Sequence, residues 1–175
     1  MNIFDVLRKE ANMKSWKKEE LQEEKKIEYK IPDGGDFNLY CKFDKNLDLE
    51  KIKNEFVNHN IKVEYKINDN RMSFSLDDTS SDEVNVISEI YGFNEEYKKE
   101  MIEDYIADFG NNTVIINILK EIDSNYYFKA KNYRESVVVC ILAYLLSEQT
   151  DTLLYDCFNG CYLCKNDLYV VMNGE

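Results

Sequence analysis

The sequence predicts an α+β domain, a split-βαβ (ferredoxin-like) sheet with helices packed on one face, preceded by a helical N-terminal arm. Two patterns predict this class. Apolar residues alternate, then recur at helical spacing, then alternate again between residues 37 and 76, and an almost wholly apolar helix is expected over residues 133–147. The chain has 175 residues, 44% of them hydrophobic, which is enough to bury one core.

The order strand, helix, strand, turn, strand is the clearest part of the pattern. Residues 37–43 alternate as a strand does, and Asp48 then has the position of an N-cap for a helix that ends near residue 60. Residues 61–67 alternate again, and a polar turn joins them to a strand over residues 72–76. This order is typical of the first half of a split-βαβ unit.

Two helices are predicted in the middle of the chain. Ser80 followed by Glu83 has the spacing of a capping box and predicts a helix over residues 84–92. Apolar residues at helical spacing predict a second helix over residues 94–109, which Gly110 ends.

The next segment fits either kind of element. Residues 113–122 carry apolar side chains at helical spacing, but their β-branched beginning fits a buried strand, which we favour over a helix. Residues 126–130 are predicted to form a strand. Asn132, with Glu135 three residues later, then opens the apolar helix that runs to Ser147.

A β-hairpin is predicted near the C-terminus. Asn159 and Gly160 have the sequence of a two-residue type I′ turn, which would join strands over residues 153–158 and 161–164. Residues 168–172 could add a third strand.

The chain is predicted to divide at residue 35. Residues 1–35 are expected to form a helical N-terminal arm, rich in Lys and Glu with few apolar residues, and a linker. The linker is predicted from the run Pro32-Asp33-Gly34-Gly35, which breaks a helix. Residues 36–175 are expected to form a single α+β domain.

Negative charge is concentrated in one segment. The formal net charge is −12, and residues 77–123 hold 3 basic and 13 acidic side chains, a net charge of −10. Such acidity disfavours binding to nucleic acid and to anionic membranes, because both are negatively charged. A basic protein partner is the natural complement.

Eight carboxylates of this segment are the predicted partner-binding residues: Asp77, Asp78, Asp82, Glu83, Glu96, Glu100, Glu103 and Asp104. Like charges four residues apart on a helix destabilise it, so stability alone would not select them, whereas clustered carboxylates orient docking to a basic surface. Tyr91 and Tyr97 would anchor the contact if they are exposed. The alternatives are a solvated helix face that serves solubility and a divalent cation site at Glu100, Glu103 and Asp104.

Three of the five cysteines form the pattern Cys157-x3-Cys161-x2-Cys164, which resembles the cluster-binding loop of radical S-adenosylmethionine enzymes. In the predicted hairpin, Cys157 and Cys164 would share one face while Cys161 would point from the other, so three ligands would not converge. We therefore expect reduced structural thiols and neither a metal nor a cofactor. A small enzyme or metal protein that uses this cluster stays an alternative.

No catalytic residues are predicted. The single histidine, His59, lies at the polar end of a predicted helix, and no glycine-rich phosphate-binding loop occurs. The first ten residues contain four charges and no long apolar run, and the longest apolar run, residues 137–146, is half the length of a membrane span. We therefore expect a cytoplasmic protein.

The last third of the chain resembles small α+β immunity proteins of bacterial toxin–immunity loci. The resemblance rests on the apolar helix over residues 133–147, the strand that contains Leu154-Tyr155-Asp156, and the turn Asn159-Gly160. It implies stoichiometric inhibition of a cognate toxin, often a basic nuclease. The expected function is therefore non-catalytic neutralisation of a toxin by occlusion of its basic active-site surface, and the alternative is a mobile-element inhibitor that mimics nucleic acid.

Overall fold

The computed structural model describes residues 29–42, 46–57, 60–68, 71–78, 84–91 and 93–173, which form seven strands and five helices. This confirms the α+β class. The strands are β1 Gly35–Cys41, β2 Ile61–Asn68, β3 Arg71–Asp78, β4 Asn85–Tyr91, β5 Ser124–Ala130, β6 Thr152–Asp156 and β7 Cys161–Leu163. The helices are α1 Leu49–Val57, α2 Glu95–Phe109, α3 Thr113–Glu121, α4 Tyr133–Ser147 and α5 Lys165–Asn173.

All seven strands belong to one sheet, in the order β2-β3-β4-β5-β1-β6-β7, and every neighbouring pair is antiparallel. In a split-βαβ unit, one strand lies between the two that the helix connects. Here three strands, β3, β4 and β5, lie between β1 and β2. The predicted ferredoxin-like topology is therefore wrong, because β4 extends the β2–β3 hairpin into a meander and β5 then pairs with both β4 and β1.

Helices cover both faces of the sheet, whereas the sequence predicted helices on one face. Side chains alternate along β1, so Leu39 packs in a core with α1, α4 and α5, while Tyr40 packs in a second core with α2 and α3. We call these the first and second faces. α4 is buried almost all round in the first core, as its apolar sequence predicts. Among the described residues, no helix has the length and apolar character to cross a membrane.

The segment predicted as a helix over residues 84–92 contains strand β4 instead. Val84, Val86 and Ser88 are buried and alternate with exposed Asn85 and Ile87, which is the periodicity of a strand. The backbone N–H of Phe74 also donates to the Ser88 hydroxyl at 2.7 Å, which ties β4 to β3. The residues of the expected capping box, Ser80 and Glu83, lie outside the described residues.

Two segments predicted as strands are helices. Residues 113–122 contain α3, because the Asn112 side chain accepts hydrogen bonds from the backbone N–H groups of Val114 and Ile115 and so caps the helix. Residues 168–172 belong to α5. There, Leu168 and Met172 lie four residues apart and are both buried in the first core, as a helix requires.

The predicted hairpin forms, but its register differs. Tyr155 pairs with Tyr162 and Asp156 with Cys161, so the loop spans four residues, 157–160, and not two. The buried Asp156 carboxylate accepts hydrogen bonds from the N–H groups of Phe158 and Asn159, and this ends β6 two residues earlier than predicted. Cys157 therefore lies in the loop, where its side chain is exposed.

Residues 29–35, which the sequence assigned to the arm and linker, contact the sheet domain. The Tyr29 hydroxyl donates to Asp156 Oδ2 at 2.8 Å, and Ile31 packs against the first core. At the predicted linker, Asp33 Oδ1 accepts from the N–H of Tyr133 at the start of α4, and the N–H of Gly34 donates to Ser136 Oγ. The rest of the predicted helical arm, residues 1–28, lies outside the described residues.

Candidate functional site

Helix α2 stands on the second face of the sheet and presents an acidic flank. It begins at the cap residue Asn94, whose Oδ1 accepts from the N–H of Tyr97 at 2.8 Å. It ends at Gly110, where φ is +82°, a conformation that favours glycine. Its buried side chains, Met101 and Tyr105, pack in the second core. The acidic residues of the helix are thereby turned away from the sheet.

Four exposed carboxylates form a row along this flank at exact four-residue intervals: Glu96, Glu100, Asp104 and Asp108. Successive members rise about 6 Å along the helix axis, so the row spans about 18 Å. Within the described residues, none of the four forms an ion pair, whereas the neighbouring Glu95 and Glu103 pair with lysines of the same helix. We call these four carboxylates the acidic row. The predicted residues Glu96, Glu100 and Asp104 belong to it, and the predicted residue Glu103 lies beside it on the same exposed helix surface.

A groove of about 250 Å³ runs beside the acidic row. Glu100, Asp104 and Asp108 supply its charged side, while the rest of its lining is aromatic apart from Met101. We call it the aromatic groove. Its aromatic lining consists of Tyr40, Tyr97, Tyr105, Phe109, Tyr155 and Tyr162.

The aromatic lining is held in place by ring contacts between three elements. Tyr162 of β7 lies 4.6 Å from Tyr155 of β6, 5.2 Å from Tyr105 and 5.8 Å from Phe109, measured between ring centroids. Tyr105 and Phe109 stack at 5.2 Å with an interplanar angle of 20°. Such edge and stacked contacts stabilise aromatic pairs, so the groove is preformed.

Four tyrosine hydroxyls of the groove, those of Tyr40, Tyr105, Tyr155 and Tyr162, are neutral at physiological pH. Burial is the largest cause that raises the pKa of Tyr40, Tyr105, Tyr155 and Tyr162, and nearby tyrosine, cysteine or aspartate side chains raise it further. The negative charge of the groove therefore comes from the carboxylates of α2.

Strand β3 carries two further predicted residues, which have different environments. Asp78 is buried and forms a 2.8 Å ion pair with Arg134 of α4, so its carboxylate stabilises the fold and does not face a partner. Asp77 is exposed and stands opposite Lys62 in the β2–β3 ladder. Asp82 and Glu83, also predicted to bind a partner, lie outside the described residues.

The strand register places Asp77 on the same face of the sheet as α2. Side chains on this face run from Tyr40 through β5 to Glu89 and Tyr91 of β4, and on to Asp77 of β3. Tyr91 is 47% exposed, and Tyr97 of α2 is 40% exposed. Both tyrosines predicted as anchors are therefore accessible. Asp77 does not adjoin Tyr40, because two strands lie between β3 and β1 and the distance from one to the other is about 14 Å.

The cysteine pattern does not form a metal site in this structure. Among the described residues, which include all five cysteines, no three His, Cys, Asp or Glu side chains are placed to share a metal ion. The same finding applies to the alternative cation site at Glu100, Glu103 and Asp104. Cys157 instead contacts Asn38, whose Nδ2 donates to its Sγ at 3.5 Å. All five thiols are free.

Under native conditions at pH 8, we expect Cys157 to react with iodoacetamide before the other four cysteines. Burial raises the pKa of Cys41 and Cys140 to about 12, and partial burial raises that of Cys161 and Cys164 to about 11. Because the thiolate is the nucleophile, these thiols react slowly even where the reagent can reach them. Burial also raises the pKa of Cys157, so its rate should lie below that of a free cysteine.

Intact-mass spectrometry with peptide mapping measures this order. Unfolded protein in guanidinium chloride is the control and should label five times. Simultaneous labelling of all five thiols in the native protein would contradict the predicted burial.

Sequence reasoning found the carboxylates but missed the aromatic groove. The sequence did contain one indication of the groove, since two sets of residues at four-residue spacing lie side by side on one helix. The apolar set is Met101, Tyr105 and Phe109, and the acidic set is Glu100, Asp104 and Asp108. The rest of the groove comes from β1, β6 and β7, which only the sheet pairing brings together.

Comparison with known proteins gave no match: no family model matches the chain, and no curated protein or solved structure is significantly similar to it.

Proposed function

We propose that this chain is a non-catalytic acidic binding protein, an immunity protein that acts in the cytoplasm and neutralises a cognate bacterial toxin by occluding its basic active-site surface. The observation that carries the proposal is the acidic row of α2, whose carboxylates form no ion pair with any residue that the structure describes and lie beside an aromatic groove. Carboxylates in such a row accelerate encounter with a basic surface and fix its orientation.

Occlusion requires more than charge, since exposed ion pairs alone contribute little affinity. The partly exposed rings of Tyr97 and Phe109, at 40% and 46% exposure, supply apolar area next to the carboxylates. Aromatic residues of this kind carry much of the binding energy in protein interfaces. A partner that covers the acidic row would also bury these rings, so charge would govern the association rate and the rings would govern the dissociation rate.

The regular spacing of the acidic row favours one second candidate, an inhibitor encoded by a mobile element that mimics the phosphate backbone of nucleic acid. Four carboxylates about 6 Å apart along a rigid helix present a linear array of negative charge. The two candidates differ in the partner: a toxin active site in the first, and a nucleic-acid-binding surface in the second.

The test is co-expression with the protein encoded by the neighbouring reading frame. If the proposal is correct, that protein inhibits growth alone, and this chain restores growth and forms a stable complex with it. The triple variant E96K/E100K/D104K should lower the association rate about 10-fold or more at low salt and reduce its salt dependence.

A matched control is E50K/E55K/D151K, which changes the net charge by the same amount at three residues outside α2; two of them lie on α1, over the first face. This control should retain the association rate. An unchanged rate in the α2 variant, or equal losses in both variants, would rule out the acidic row as the docking surface. A neighbouring protein with no effect on growth would count against the toxin–immunity assignment.

A further inference from the structure

We propose that the aromatic groove receives the side chain of an arginine from the basic partner, an inference that rests on the proposed function and names the group recognised at that site. The groove combines flat aromatic walls with three carboxylates, Glu100, Asp104 and Asp108. Its occupant must therefore be a cation that also has an apolar, planar surface.

The size of the groove suits one long side chain. Pockets for drug-sized molecules and cofactors enclose about 300–1,000 Å³, and this groove encloses about 250 Å³. It is also lined from three elements, α2, β6 and β7, together with Tyr40 of β1. A side chain that enters between these elements is enclosed on several sides, while the main chain of the partner stays outside along the acidic row.

The chemistry of the walls favours guanidinium over ammonium. A guanidinium group is planar, stacks on aromatic faces and donates two parallel hydrogen bonds to a carboxylate. A lysine ammonium is a compact, strongly hydrated charge that gains less from an aromatic wall. Tyr162 and Phe109 supply ring surface, and Asp104 supplies the carboxylate beside them.

The cations of the chain itself leave this groove open. No Lys or Arg is among the described residues that line it. Lys98, on the same helix, is held by Glu95 and by the carbonyl of Lys120, and its Nζ lies 5.9 Å from the ring of Phe93. Lys98 thus lies against the ring of Phe93 outside the groove. Within the described residues, no lysine or arginine pairs with the carboxylates of the groove.

Two short peptides that differ only in one residue, acetyl-Gly-Ser-Arg-Ser-Gly-amide and its lysine counterpart, test the inference by NMR titration of the full chain. We expect the arginine peptide to bind at least 5-fold more tightly and to shift ring signals of Tyr162 and Phe109. The variants F109L and Y162L should remove this preference. F158L, which alters an exposed aromatic outside the groove, should retain it.

Because Tyr162 packs against several rings, Y162L could fail to fold, and F109L at a half-exposed position is then decisive. Equal binding of the two peptides, no binding of the arginine peptide at millimolar concentration, or a preference that survives in F109L would overturn the inference. If the toxin is still neutralised in any of these cases, the proposed function stands without the groove. Conversely, an arginine preference without neutralisation overturns the proposed function alone.

Discussion

Replacement of Asp156 by alanine is expected to lower the free energy of unfolding by about 3 kcal/mol, because the buried carboxylate satisfies several donors that would lose their acceptor. Asp156 is fully buried. Its Oδ2 accepts from the Tyr29 hydroxyl at 2.8 Å and from Asn159 Nδ2 at 2.7 Å, and its Oδ1 accepts from the N–H groups of Phe158 and Asn159. One side chain therefore joins residue 29, the end of β6 and the loop that leads to β7.

Urea unfolding followed by circular dichroism measures the loss. D151A, at an exposed aspartate five residues earlier, is the matched control and should change stability by less than about 0.5 kcal/mol. D156N retains one acceptor oxygen and should lie between the two. A loss below about 1 kcal/mol in D156A would mean that water or the rearranged loop satisfies these donors.

Replacement of Phe37 by alanine is expected to lower the free energy of unfolding by about 3–5 kcal/mol, since it removes a wholly buried ring from an interior strand of the sheet and leaves a cavity. Phe37 lies on β1 between Phe128 of β5 and Asp156 of β6. Its neighbours are fixed by strand pairing on both sides and by α4 above, so the cavity cannot collapse fully.

The same substitution at Phe158 is the control. This ring is 75% exposed in the β6–β7 loop, and F158A should change stability by less than about 0.5 kcal/mol. Thermal and urea unfolding of the two variants should therefore differ by several kcal/mol. Similar losses in both would show that the loop ring has a structural role.

Local patterns predicted the elements in which one periodicity dominates. Alternation identified β1, β2 and β3, the helical spacing of apolar residues identified α2, and the cap residue Asn132 identified the start of α4. The prediction for the segment that contains β4 was wrong because two spacings compete there. Helical spacing and strand alternation fit it equally well, the first through Val84, Ile87, Ile90 and Tyr91 and the second through Val84, Val86 and Ser88. Pairing with β3 and β5 decides between them, and that is a long-range interaction.

Long-range contacts also limited the prediction of the site. The acidic row follows from residue spacing within one helix, so the sequence revealed three of its four residues as partner-binding candidates. The aromatic groove requires Tyr155 and Tyr162 to stand opposite each other, and the sequence predicted a register shifted by two residues. The shift depends on hydrogen bonds of the buried Asp156 side chain, which no hairpin consensus includes.

The interior position of β1 in the sheet has a consequence for biosynthesis. Leu39 pairs with Tyr126 and Leu154, which are 87 and 115 residues later in the chain. At about 5–20 residues per second, β1 waits about 6–23 s on the ribosome before its second neighbour is made. During that interval β2, β3 and β4 can already pair with one another as a local meander. Nascent chains should therefore carry this paired meander together with an unpaired strand β1 that chaperones can bind.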